Sequence, residues 1–202
     1  MKQIVLIILL LYYSLSPLLA QQFNGGIMGG IAATTVAGDA YAGFNKIGLY
    51  GGGFVNLEVS ETSLLQMELA YFQKGARFNE DPDMPDKLAY ILRLHYVELP
   101  IVFQYRLAEF RLEAGLSADF LIHAHEELDY LEQETEHWKR VAFNSILGIK
   151  YDLSDRLTAS LRSINSINSI RKDQVTGNVR RYSRKHYGAF NDAFLISLYY
   201  QF

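Results

Sequence analysis

"FRLEAGLSADFLIH", Phe110 to His123, turns every second side chain to the same side. Phe110, Leu112, Ala114, Leu116, Ala118, Phe120 and Ile122 share one face, and Arg111, Glu113, Gly115, Ser117, Asp119 and His123 fill the other. A period of two marks a strand with two unlike faces. The stretch is long for a soluble protein, where a strand of about five or six residues is usual. Ten steps of ~3.3 Å at a tilt near ~40° rise about 25 Å, the height of a lipid-facing band.

The same alternation recurs. From Val141, the residues Val141, Phe143, Leu147, Ile149 and Tyr151 oppose Asn144, Gly148 and Lys150. In the closing stretch "FNDAFLISLYYQF", Phe194, Ile196, Leu198, Tyr200 and Phe202 oppose Ser197 and Gln201. Carried along the chain, the pattern predicts eight strands, roughly 22–33, 46–60, 63–77, 90–106, 110–124, 139–152, 156–169 and 189–202. Short connections at Glu61-Thr62, Leu107 to Glu109 and Ser154-Asp155 alternate with long ones at 34–45, 78–89, 125–138 and 170–188. An up-and-down antiparallel barrel has tight turns at one end and long loops at the other. The glycine-heavy "NGGIMGG" and the aperiodic "SINSINSI" are the weakest stretches, where glycine suggests bends or close approach inside a narrow barrel.

Alternation alone also suits a soluble ligand-binding barrel, which would keep its apolar face inside. Aromatic residues favour the membrane. Tyr105, Phe110, Tyr151, Tyr200 and Phe202 fall near the short-turn end, and Tyr71, Phe120, Phe143 and Phe190 near the long-loop end. The opposite face carries Glu58, Glu68, Glu98, Arg106, Arg111, Glu113, Lys150 and Arg162, too many charges for an oily cavity. The expectation is therefore an all-β, eight-stranded antiparallel up-and-down transmembrane β-barrel, closed because lipid satisfies no open sheet edge. Side chains fill so narrow an interior. Glu68, Glu98 and Glu113 come from neighbouring strands at comparable depth, and Arg162 or Lys150 would reach them across the lumen. The expected result is a salt-bridge network holding the barrel shut; a proton or ion pathway is the alternative.

Composition and termini fit one exported domain. The 202 residues carry a net charge of −3 and no cysteine, so there is no disulfide framework and no basic excess to attract nucleic acid. Lys2, the apolar run Ile4 to Leu11 and "SPLLA" before Gln21 read as an export signal over 1–20, leaving a barrel domain over 21–202. No later stretch is long and apolar enough for a spanning helix. The expected location is a Gram-negative outer membrane, reached through the periplasm, with short turns inside and long loops outside.

The loops and a few strand positions carry further expectations. Glu126 to Glu136 is acidic, whereas Arg171, Lys172, Arg180, Arg181, Arg184 and Lys185 make a basic loop. These could pair with each other, the acidic one could hold a divalent cation, or the basic one could touch lipopolysaccharide; plain solvated loops are expected. No EF-hand spacing is present, and no metal or cofactor is expected. Pro100 cannot donate to a ladder, so a bulge is expected there. Arg93 and His95 share the lipid-facing parity of Val97, which puts them above the band or calls for that bulge. Lys74 is expected to snorkel to the outer interface. Ser117, Asp119, His123 and His125 offer acyl-transfer chemistry. But Ser117 and His123, placed on one face, would lie roughly 20 Å apart along the strand. A partner such as Ser160 or Ser163 would then be needed. A lipid-modifying acyl hydrolase or transferase is thus the runner-up to a non-enzymatic barrel.

"LLQMELAYFQKGA" (Leu64 to Ala76) and "YVELPIVFQY" (Tyr96 to Tyr105) resemble the paired strand signatures of the PorT-type outer-membrane β-barrel family of Bacteroidetes. Lys74, Gly75, Tyr96, Glu98 and Pro100 carry that likeness. The resemblance implies a small barrel linked to protein secretion or envelope integrity, with secretion-system or envelope proteins as partners alongside outer-membrane lipid and lipopolysaccharide. It also implies that the aromatic terminus, Tyr200 and Phe202, is the insertion signal read by the barrel-assembly machinery.

Overall fold

The computed structural model describes residues 23–38, 43–79, 88–172, 178–181 and 184–202; the expected export signal lies outside them. Eight long strands make the barrel: β1 Phe23–Ala37, β2 Lys46–Ser60, β3 Ser63–Phe78, β4 Tyr90–Leu107, β5 Phe110–Leu128, β6 Val141–Asp152, β7 Leu157–Ser166 and β8 Phe190–Gln201. Each pairs antiparallel with its chain neighbours, and β1 pairs with β8 from Gly26↔Gln201 to Ala37↔Phe190, so no edge is left open. The glycine-rich first strand runs further than its sequence suggests, because both of its sides are paired. The seventh stops at Ser166, short of the expected 169.

Burial is inverted relative to a soluble protein. Ile47 is 73% and Leu147 64% exposed, whereas Arg162 is 1% exposed. Apolar side chains on the outside and ions within are what hydrocarbon solvent demands. Rings bracket the band, Tyr105, Phe110, Tyr151, Tyr200 and Phe202 at the short-turn end and Tyr71, Phe120 and Phe143 at the other. Phe190, expected among them, is instead buried.

The lumen has three levels. At the long-loop end Leu92, Leu94, Tyr96, Trp138 and Ile170 form an apolar cap. Charged groups packed beside Tyr50, Phe72 and Tyr199 occupy the middle. At the short-turn end a cavity of about 470 Å³ opens outward.

Register corrects three expectations. Pro100 makes no bulge: pairing with β3 lapses between Met67↔Ile101 and Ala70↔Glu98 and resumes unshifted, and Pro100↔Ser117 stays in step with β5. A missing N–H costs a bond without inserting a residue. The bulge lies instead at Ile122, left over between His95↔His123 and Tyr96↔Leu121. It turns both Ile122 and His123 outward, so Ser117 and His123 do not share a face. Lys74 does not snorkel; it is 1% exposed, on the inward parity of Gln66 and Glu68.

Candidate functional site

Arg162, inward on β7, anchors the luminal charges. Its Nη1 and Nη2 donate to Glu68 Oε2 and Oε1 at 2.9 and 2.7 Å. Its Nε and Nη2 donate to Glu113 Oε2 and Oε1 at 2.8 and 2.9 Å. One planar guanidinium thus serves two carboxylates in paired fashion, the geometry in which arginine binds most strongly. Gly148 makes room for it: a Cβ there would lie 2.8 Å from both Arg162 Cγ and Glu113 Oε2.

Neighbours satisfy the remaining lone pairs. Tyr50 donates to Glu68 Oε2 at 2.6 Å, and Tyr199 and Gln66 donate to Oε1. Gln104 and Ser160 donate to Glu113 at 3.0 and 3.3 Å. Lys150 Nζ lies 3.3 Å from Glu113 Oε1, donates to Gln66 at 2.7 Å and sits 3.7 Å above the Tyr199 ring. A buried ion network stabilises only when so fully bonded.

Glu98, expected within reach of Arg162 or Lys150, belongs to a second group. Lys74 Nζ lies 2.7 Å from Asp119 Oδ2 and 3.9 Å from Glu98 Oε1. Ser117 donates to Glu98 at 2.6 Å and accepts from Asn144 at 2.9 Å. Arg111, nearer the mouth, pairs with Asp152 and Thr158. Glu58 and Arg106, also expected in the network, are exposed and line the mouth, because both strands have emerged toward water there. Gln66, Gln104, Tyr50 and Tyr199 join the network without having been expected there, although all share the inward parity of the charged residues, and Asn144, placed on that face by the alternation, joins it too.

The proposed acyl-transfer residues do not converge. Ser117 is bonded inside the lumen, His123 faces outward, and His125 contacts Glu127 and Glu132. Ser160 donates to Glu113, and Ser163 to Asn165 at 3.0 Å.

At the long-loop rim Asp129, Glu132, Glu134 and Glu136 are exposed, as a solvated loop requires, while Glu126 alone is buried and tied down. Glu126 is 6% exposed and accepts from Tyr90, His137 and Trp138 at 2.9 to 3.0 Å. Glu127 and Leu128 pair with Glu132 and Leu131 around a two-residue turn in which Asp129 and Tyr130 have φ of 52° and 62°. Beyond the membrane-spanning part of β5, the hydrogen bond from His125 holds the Glu127 carboxyl below its usual range. Lys172 donates to the Glu136 carbonyl at 2.6 Å, and Arg171 lies 5.2 Å over the Trp138 ring. The side chains of Arg180, Arg181, Arg184 and Lys185 lie outside the described residues.

Of the motif residues, Lys74, Gly75, Tyr96, Glu98 and Pro100 are all buried. Tyr200 and Phe202 are exposed with ring centroids 6.2 Å apart, and Phe202 N–H donates to the Gly25 carbonyl at 3.1 Å.

Comparison with solved structures finds the same barrel elsewhere. Neisserial surface protein A is 8% identical with a TM-score of 0.58, the match covering 88% of this chain and 97% of that one. Ail, the attachment invasion locus protein of Yersinia pestis, is 14% identical with a TM-score of 0.56, over 90% and 99%. No curated protein matches. A family model described as "Outer membrane protein beta-barrel domain" matches residues 19–172. With three-quarters of its length under that model and hydrocarbon side chains turned outward around a lumen packed with ion pairs, the chain belongs to the outer membrane protein β-barrel domain family and resides in the outer membrane.

Proposed function

We propose that the protein is a non-enzymatic barrel that works through its rim and outer wall, as an envelope or secretion-machinery component of the PorT type. Residues 1–20 act as its export signal, and the Tyr200–Phe202 terminus as its insertion signal. The observation that carries this reading is the lumen itself. Arg162, Glu68 and Glu113 are buried and bonded to one another beneath an apolar cap, so the barrel offers surfaces rather than a channel. The rim is also shaped for contact, since Glu126, His137 and Trp138 hold the loop after β5 against the cap. Deleting the gene and restoring it with or without residues 129–136 tests the proposal. Loss of protein secretion or of envelope resistance to detergent, restored by the whole chain but not by the loop-deleted one, is expected. Full rescue by the loop-deleted barrel would argue against a rim-based role. Steady single-channel conductance in a planar bilayer would contradict a sealed lumen.

A further inference from the structure

The luminal network leaves three cations near the long-loop end unexplained. A notch of about 240 Å³ opens there on the outer wall of β2, β3 and β4, lined by Lys46, Arg77 and Arg93 with Gln73, Ile47 and Ile91. Ile47, Gln73, Arg77, Ile91 and Arg93 all sit at odd, outward positions of their strands. Among the described residues no carboxylate lines the notch, and none of its three cations joins an ion pair. Arg77 Nε donates to Asn79 at 3.0 Å. Lys46, at a buried, even position of its strand, donates to the Ile47 carbonyl at 3.4 Å and is 6% exposed. A buried ammonium ion without a counter-charge is costly, so an anion seated beside Lys46 would stabilise it.

The wall beside Lys46 is shaped to admit its stem. Gly75, between Gln73 and Arg77 on β3, has a φ of 141°, and a Cβ there would sit 2.0 Å from the Leu92 carbonyl and 3.2 Å from Lys46 Cδ. Any side chain would press on the lysine stem and strain the backbone. The Lys-Gly pair of the third-strand motif thus serves two sides of one wall, with Lys74 inside and Gly75 beneath the notch. Two arginine forks and an ammonium group are the donors that bind phosphate oxygens. Immediately below, Ile47, Leu49 and Leu69 are more than half exposed and belong to the apolar band. An anion seated in the notch therefore has acyl chains for neighbours.

We propose that this notch binds the phosphate group of an outer-leaflet lipid, with Arg77 and Arg93 holding the phosphate oxygens and Lys46 supplying the counter-charge. The proposal rests on the outer-membrane placement with long loops outward and assigns lipid contact to particular residues. The cavity at the opposite mouth lacks this selectivity, since Glu58, Asp152 and Asp155 line it beside Arg106 and Arg156.

The test uses the mature barrel in phosphatidylcholine nanodiscs doped with lipid A, with retained lipid A read by native mass spectrometry. Wild type is expected to retain it, and the Arg77→Gln/Arg93→Gln variant about tenfold less. Gln73→Glu, which adds a carboxylate and removes no cation, is expected to weaken retention similarly. Dephosphorylated lipid A should be held no better by wild type than by the double variant. Equal retention of both lipids by wild type, or undiminished retention in both variants, overturns the proposal. So does inorganic phosphate alone protecting the barrel from heat as well as lipid A does. Failure of the membrane reading is distinguishable, because it would abolish heat-dependent gel mobility in every lipid.

Discussion

Arg162 on β7 and Glu68 on β3 meet across the barrel axis, Nη2 to Oε1 at 2.7 Å with neither side chain exposed. The two strands are separated by β2, β1 and β8 on one side and by β4, β5 and β6 on the other, so this ion pair spans the full diameter. Such a contact cannot form until the sheet has closed. It ties side-chain electrostatics to topology.

Removing one partner should therefore cost more than removing both. Arg162→Met leaves Glu68 without its main counter-charge and is expected to lose about 3–5 kcal/mol. Arg162→Met combined with Glu68→Gln should recover part of that loss, since Glu113 keeps Lys150. Urea unfolding of vesicle-inserted protein, followed by heat-dependent gel mobility, measures both. A double variant no more stable than the single one would refute compensation of buried charge as the reason for the network.

Gly148→Ala probes the same site sterically. The new methyl would meet Arg162 Cγ and Glu113 Oε2 at 2.8 Å, and both are held by other bonds. Overpacking of this kind costs about 1–3 kcal/mol. Unfolding at wild-type denaturant concentration would show that the guanidinium yields freely.

Much of this barrel is legible in sequence because one rule, the period of two, governs both faces. The eight strands follow from it, and so does the inward placement of Glu68, Glu98, Glu113, Lys150 and Arg162. The misplaced residues have separate causes. Lys74 sits on the parity of Gln66 and Glu68, yet a lysine near a strand end invites a snorkelling reading. His123 is displaced by a single extra residue at Ile122, which nothing in "FLIHAH" announces, whereas Pro100 announces a bulge that the ladder does not need. The cap of Leu92, Leu94 and Tyr96 was hidden for another reason. Apolar side chains on the inner face are indistinguishable by type from lipid-facing ones, and only closure of the barrel tells them apart.

The outer face gives a depth-dependent prediction. Leu147→Arg, at a position 64% exposed in mid-strand, should cost about 2–4 kcal/mol in a bilayer, whereas Leu107→Arg at the turn end should cost at most about 1. On a soluble barrel two such exposed leucines would tolerate arginine alike. Equal effects in vesicle-based unfolding would argue against a lipid-facing wall.

Trp138 is the chain's only tryptophan, so intrinsic emission reports on one place, the apolar cap. It is 3% exposed, donates to Glu126 at 3.0 Å and lies beneath the Arg171 guanidinium, inside the rim rather than on the lipid-facing wall. Its emission should be blue-shifted in the folded barrel, resist acrylamide, and stay nearly unchanged when ordinary lipids are replaced by ones brominated along their acyl chains. Unfolding in urea should reverse the first two. Trp138→Ala removes both the ring and the Glu126 hydrogen bond, and should cost about 3–5 kcal/mol, as large-to-small changes in packed interiors do. Strong quenching by brominated chains would place the ring in lipid, and the cap over the charged lumen would then not exist as described.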